Sequence, residues 1–130
     1  MRYTGFLAVL ALAGCVADKP SPPGQDIYMS YCVVCHGRSA EGDGPLAADL
    51  PVPPADLTRL AARNGGVFPY SDVMAQVHGY PGRFHVMPEF GPVLEGPKAM
   101  WRDETDAVLE TPRALLELAR YLETLQRGAP

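Results

Sequence analysis

The chain has 130 residues, 47% of them hydrophobic, and a formal net charge of -4. That length holds one domain at most, and the acidic balance argues against nucleic acid as a partner. The 13 glycines and 14 prolines imply much loop and few long elements, and in so small a folding unit a bound prosthetic group would help to fill the core.

Arg2 followed by the apolar run Phe6 to Ala13 has the charged and hydrophobic regions of an export signal. The run is too short to span a bilayer, which needs about 20 apolar residues. It ends in Leu12-Ala13-Gly14-Cys15, which resembles a bacterial lipobox, where lipid is attached to the cysteine and cleavage leaves Cys15 as the new N-terminus. Residues 1–14 are thus expected to be a lipoprotein-type signal peptide and 15–24 a Pro-rich tether leading from the anchor. The alternatives are an ordinary cleaved signal with an incidental cysteine, or an uncleaved membrane helix. Cleavage removes Arg2 from 11 basic residues and leaves 10 against 15 acidic ones, a charge of -5. The expected location is the periplasmic side of a bacterial membrane, lipid-anchored, or soluble in the periplasm if Cys15 carries no lipid.

The domain is expected over 25–127. Asp26 suits the N-cap of a helix carrying Ile27, Tyr28, Tyr31 and Cys32 and broken at Gly37. From Gly37 to Pro54 the chain reads as a Gly/Pro loop. Leu57 to Arg63 and Ser71 to His78 read as short helices stopped by Asn64-Gly65-Gly66 and by Gly79. Residues 79–98 read as loop, and the segment from Pro92 to Glu110 has no assignment. Thr111-Pro112 resembles an N-cap followed by Pro at the first helical position, and Leu115, Leu118, Ala119, Leu122 and Leu125 recur at helical spacing up to about Arg127. No strand-like alternation of any length is evident, so the expected class is all-α.

Cys32-Val33-Val34-Cys35-His36 is a C-x-x-C-H sequence, the attachment signature of c-type haem. On a helix Cys32 and His36 share a face, so two thioethers can grip the ring edge while the imidazole meets iron. Three other readings compete. Zinc would want a second ligand pair, which the sequence lacks. A thioredoxin-like pair needs a βαβ context. A structural disulfide leaves His36 unexplained. For the second axial ligand the candidates are Met29, Met74, Met87, Met100, His78 and His85. Met29 sits on the motif helix, Met74 falls at core spacing with Val73 and Val77, and His78 suits a helix end. Met87, in a loop and followed by Pro88, is the choice. His85 is the alternative and would give a bis-histidine haem of lower potential.

Helix, Cys-x-x-Cys-His-Gly, Gly/Pro loop with Gly42-Asp43-Gly44-Pro45, short helices, Met87-Pro88 and a C-terminal helix with Leu118, Tyr121 and Leu122 together resemble the class I cytochrome c family, over roughly Gly24 to Arg127. The resemblance implies a small all-α domain around one haem c per chain, with its N- and C-terminal helices crossing, so that Gly24 and Tyr28 meet Leu118 and Tyr121. It implies metal ligation by His36 and Met87, covalent attachment at Cys32 and Cys35, and a loop carbonyl, with Pro45 as candidate, accepting the proton of the imidazole's far nitrogen. Arg59, Arg63 and Trp101 are candidates for the propionates. The function expected is that of a monomeric electron carrier, not an enzyme, passing single electrons between redox proteins of a respiratory or dehydrogenase chain. The rivals are a sensor or enzyme subunit with an open iron site, and a fixed subunit of a redox complex.

Overall fold

The structure, a computed structural model, describes residues 21–79 and 86–128. The expected signal segment 1–14, Cys15 and His85 lie outside the described residues. In chain order come α1 (Gln25–Tyr31), α2 (Val33–His36), α3 (Leu60–Arg63), α4 (Tyr70–His78), α5 (Gly91–Leu94), β1 (Lys98–Arg102), β2 (Val108–Pro112) and α6 (Arg113–Thr124). Single 3-10 turns lie at Ala47–Asp49 and Leu57–Arg59.

The apolar spacing of α6 is what organises the rest. Leu115, Leu116, Leu118, Ala119, Tyr121 and Leu122 are all buried, a stripe wide enough to take two partners. Helix α4 packs against it with Val73, Met74 and Val77. Helix α1 crosses it with Tyr28, and the rings of Tyr28 and Tyr121 stand 5.6 Å apart. Tyr28 and Leu118 are the largest fully buried side chains. Gly24, not Asp26, occupies the cap of α1, with φ 87. A Cβ there would stand 2.1 Å from the Glu117 carbonyl oxygen, so the position admits only glycine both for its backbone angle and for the closeness of α6. Asp26 sits instead inside the first turn, where its charge still suits the helix's positive end. Gly24 and Tyr28 therefore meet Glu117, Leu118 and Tyr121, the contact with Leu118 and Tyr121 being the one the resemblance implied.

The all-α expectation is corrected by a β-hairpin in the segment that had no assignment. Strands β1 and β2 pair antiparallel with Met100 opposite Glu110 and Trp101 opposite Leu109. Along β1 exposure alternates, with Ala99 and Trp101 turned inward and Lys98, Met100 and Arg102 outward. The pattern is weak in sequence because Met100, an apolar residue, stands on the outer face, 62% exposed, and because Val108 and Leu109 are both exposed. The hairpin closes through an aspartate-centred turn rather than an Asn-Gly pair. Asp103 Oδ1 accepts from the backbone amides of Thr105 and Ala107 and from the Thr105 hydroxyl, and Asp106 takes φ 67. Both strands lean on α6, and this packing supports a two-stranded ribbon that would be marginal alone.

Smaller departures have local causes. The 57–63 stretch divides into a 3-10 turn and α3 because the Asp56 carboxylate accepts from the Thr58 amide and hydroxyl, tightening the first turn. Helix α5 forms inside the expected loop with Pro92 in its first turn, tied to α4 by the Phe90 amide donating to the Val77 carbonyl. Helix α6 is capped by Pro112 and starts at Arg113, since Thr111 and Pro112 are spent on β2.

Candidate functional site

The motif lies across a break between two helices. Cys32 closes α1 and opens α2, and its amide donates to the Tyr28 carbonyl while the amide of His36 donates to Cys32. The chain therefore stays near-helical through the motif, which keeps Cys32 and His36 on one side. Cys32 is buried and Cys35 half-buried, and both are free thiols. Burial, with Cys35 adding to it, pushes the Cys32 thiol up to about 11. Tyr28 anchors the far end of the turn: its hydroxyl donates to the Gly37 carbonyl at 2.6 Å, out of solvent.

His36 is 9% exposed, and its Nδ1 lies 3.0 Å from the Ala55 carbonyl oxygen. A carbonyl only accepts, so Nδ1 carries the proton. Burial lowers the imidazole's proton affinity, opposed by the bond to Ala55, and favours the neutral ring. Neutral, with its proton on Nδ1, the ring presents the lone pair of Nε2, the tautomer a metal requires. Among the described residues no hydrogen bond occupies Nε2.

The acceptor is Ala55, which corrects the expectation for Pro45. The amides of Gly44 and Leu46 donate to the carbonyls of Cys35 and Val34, and this pair of bonds straps Pro45 along the backbone of α2. Pro45 is exposed and lines a cavity of about 520 Å³ with Val33, Val34, Gly37, Arg38, Ser39 and Asp43; His36 is not on its wall. The carbonyl comes instead from ten residues further on. Gly42, at φ 86, permits this, because a Cβ there would stand 2.4 Å from the Pro54 carbonyl oxygen. The amide of Leu57 then donates to the Ala40 carbonyl at 2.8 Å, fixing the 54–57 segment beside the ring. In the sequence, Pro45, Pro51, Pro53 and Pro54 mark the loop, and nothing local says which carbonyl turns inward.

The methionines separate by position. Met74 is buried in the core on α4, and Met100 is exposed on β1. Met29 is on α1. Met87 is half-buried in the loop after α4 and packs against the core cluster. His78 ends α4, within 3.9 Å of Glu95, with its ring against Gly91, so it is engaged at the junction of α4 and α5. Of the propionate candidates, Arg63 donates to the Asp56 carbonyl, Trp101 packs 5.7 Å from the ring of Tyr70, and Arg59 is exposed on the 3-10 turn. Arg59 and Arg63 both lie near Asp56, whereas Trp101 belongs to the aromatic layer on Tyr70.

The donor set fits a haem of the covalently attached kind: two unpaired thiols and a neutral imidazole with its far nitrogen already satisfied, all within five consecutive residues. Among the described residues no group of three or more His, Cys, Asp or Glu side chains is placed to hold a metal ion by itself, and no helix is long and apolar enough to cross a membrane. Gln126 is the residue that the sequence did not point to: its carboxamide bonds the 57–61 segment at two places. No protein-family model, curated protein or solved structure matches the chain.

Proposed function

We propose that the chain is a single-haem electron carrier of the cytochrome c kind, exported and held on the periplasmic side of a bacterial membrane by lipid on Cys15. The observation that carries this is the bond from His36 Nδ1 to the Ala55 carbonyl at 3.0 Å, which leaves Nε2 of a buried, neutral imidazole next to the free thiols of Cys32 and Cys35. Cys32 and Cys35 would hold the haem by thioethers, His36 Nε2 would bind the iron, and Met87 would supply a second ligand. Haem bound there supplies a one-electron couple.

The chain's own residues define the rest. Ala55 keeps the proton on Nδ1, which raises the basicity of Nε2 and fixes the plane of the imidazole. Tyr28 and α6 hold the motif turn rigid from behind, so little reorganises when charge changes. Phe68 shares the buried apolar cluster with Cys32, and the half-buried Leu57 and Leu60 pack against that cluster. The proposed partners are redox proteins of a respiratory or dehydrogenase chain, met by a monomer.

Acidified acetone applied to protein made with a working haem-maturation system tests the attachment: the colour is expected to stay with the protein. Haem in the solvent layer, or colourless protein, would defeat the proposal. Carbon monoxide is expected not to alter the reduced spectrum rapidly, and a rapid change would move the function to an open-site sensor or enzyme subunit.

A further inference from the structure

We propose that Gln126 is a positioning residue for the His36 imidazole, holding the loop that delivers the Ala55 carbonyl, an assignment that rests on the haem proposal above for its effect on the iron. Ala55 lies in no helix or sheet, so the place of its carbonyl is decided by what grips the chain on either side. Towards the motif the grip is Leu57 on Ala40 and the closeness that Gly42 allows. On the other side it is the C-terminal end of α6.

The side chain of Gln126 is half-buried and fully used. Its Nε2 donates to the carbonyls of Leu57 and Leu122, each at 2.8 Å, and its Oε1 accepts from the Ala61 amide at 2.9 Å. The next residue continues the seam: the Arg127 amide donates to the Thr58 carbonyl at 2.7 Å, and its guanidinium pairs with Glu41. Both amide hydrogens and the carbonyl oxygen of one carboxamide are engaged, so a carboxylate, which cannot donate, or an ammonium, which cannot accept, would lose part of the set. Leu57 is thereby held at its amide by Ala40 and at its carbonyl by Gln126, two residues from the carbonyl that meets His36 Nδ1. Slackening one end lets that carbonyl withdraw. A weaker bond at Nδ1 makes the imidazole a poorer donor to iron and favours the reduced state.

The test uses the full-length, haem-loaded chain as wild type, Gln126→Ala, Gln126→Glu and, as a destabilised control, Glu104→Ala, whose lost bonds to Ser71 touch neither Ala55 nor His36. Three things are read: thermal midpoint, reduction potential, and solvent exchange of the His36 Nδ1 proton by NMR. Gln126→Ala is expected to raise the potential and speed the exchange. Gln126→Glu, which keeps an acceptor for Ala61 and loses both donations, is expected to do the same and serves if the alanine variant does not fold. Glu104→Ala should lower the midpoint alone. If both Gln126 variants lower the midpoint with potential and exchange as in wild type, the residue is only a structural staple and the proposal is overturned. If the chain carries no covalent haem, the haem proposal falls, and exchange at His36 in the same chain still decides the positioning: faster in Gln126→Ala supports it, unchanged overturns it.

Discussion

His36 and Ala55 show how much rests on a single backbone carbonyl. The imidazole is buried and its Nδ1 bond is made to a loop, so the tautomer that exposes Nε2 is set by a residue 19 positions away, with Gly42 permitting the approach. Met87 is the residue proposed as the second ligand to the iron. A neutral thioether favours ferrous iron relative to a second imidazole, so Met87→Ala is expected to abolish the weak far-red sulfur-to-iron band of the oxidised protein, lower the potential and open the reduced form to carbon monoxide. Met74→Ala and Met100→Ala should keep the band. Retention in Met87→Ala with loss in either of the others would move the ligand to that residue, and absence from wild type would move it to His85 or to an open site. The sequence pointed to Cys32, Cys35 and His36 by their spacing alone, and the structure carries the three on one near-helical stretch. It pointed to Pro45 where the structure has Ala55, since which carbonyl turns inward depends on two long-range bonds.

At the scale of elements, the hairpin does more than fill space. Glu104, in its turn, accepts from the amide and hydroxyl of Ser71, and so caps the first turn of α4 from 33 residues away. Those bonds hold the Glu104 carboxyl below its usual range. Loss of the cap in Glu104→Ala is expected to cost about 0.5–2 kcal/mol, read as a lower denaturant midpoint with an unchanged haem spectrum. A spectral change would mean that the hairpin also shapes the iron site. Trp101 packs on Tyr70, which packs on Phe68, so the inward face of β1 continues the aromatic layer of α4. Helices α4 and α6 were legible because one apolar face repeats at helical spacing. The strands were not, because their inward side chains are only Ala99 and Trp101 on one strand and Thr111 and Pro112 on the other, too few to show a period of two.

For the whole molecule, alkaline pH acts through the buried phenols. Burial, then Cys32, Tyr121 and Asp43, raises Tyr28 above its ordinary value, and burial with the Glu123 bond raises Tyr70. A group that holds its proton more tightly when folded contributes stability that is complete below the unfolded value of about 10 and is lost as pH rises from there towards the folded values. The urea midpoint is therefore expected to be flat from pH 7 to about 9.5 and to fall above it. Tyr28→Phe and Tyr70→Phe should each flatten the fall, and a decline untouched by both would assign it elsewhere. Cys32, as a thioether, would take no part. The proposed membrane attachment is tested on the entire chain. Cys15→Ser is expected to release the protein to the soluble fraction, because acyl chains contribute about 0.8 kcal/mol per buried CH₂; equal retention of that variant would point to an uncleaved helix.

The sequence by itself determined what is local: a Cys-x-x-Cys-His pattern within five consecutive residues and a C-terminal helix with one apolar face. Each is carried by spacing along the chain, and spacing survives without a fold. Only the tertiary structure decided that residues 98–112 pair as a hairpin, that Glu104 caps α4, that Ala55 rather than Pro45 meets His36, and that Gln126 closes the loop behind it. All four depend on groups brought together across long stretches of chain, by hydrogen bonds whose partners are backbone atoms. Backbone atoms are the same in every residue but proline, so no side-chain pattern can announce them.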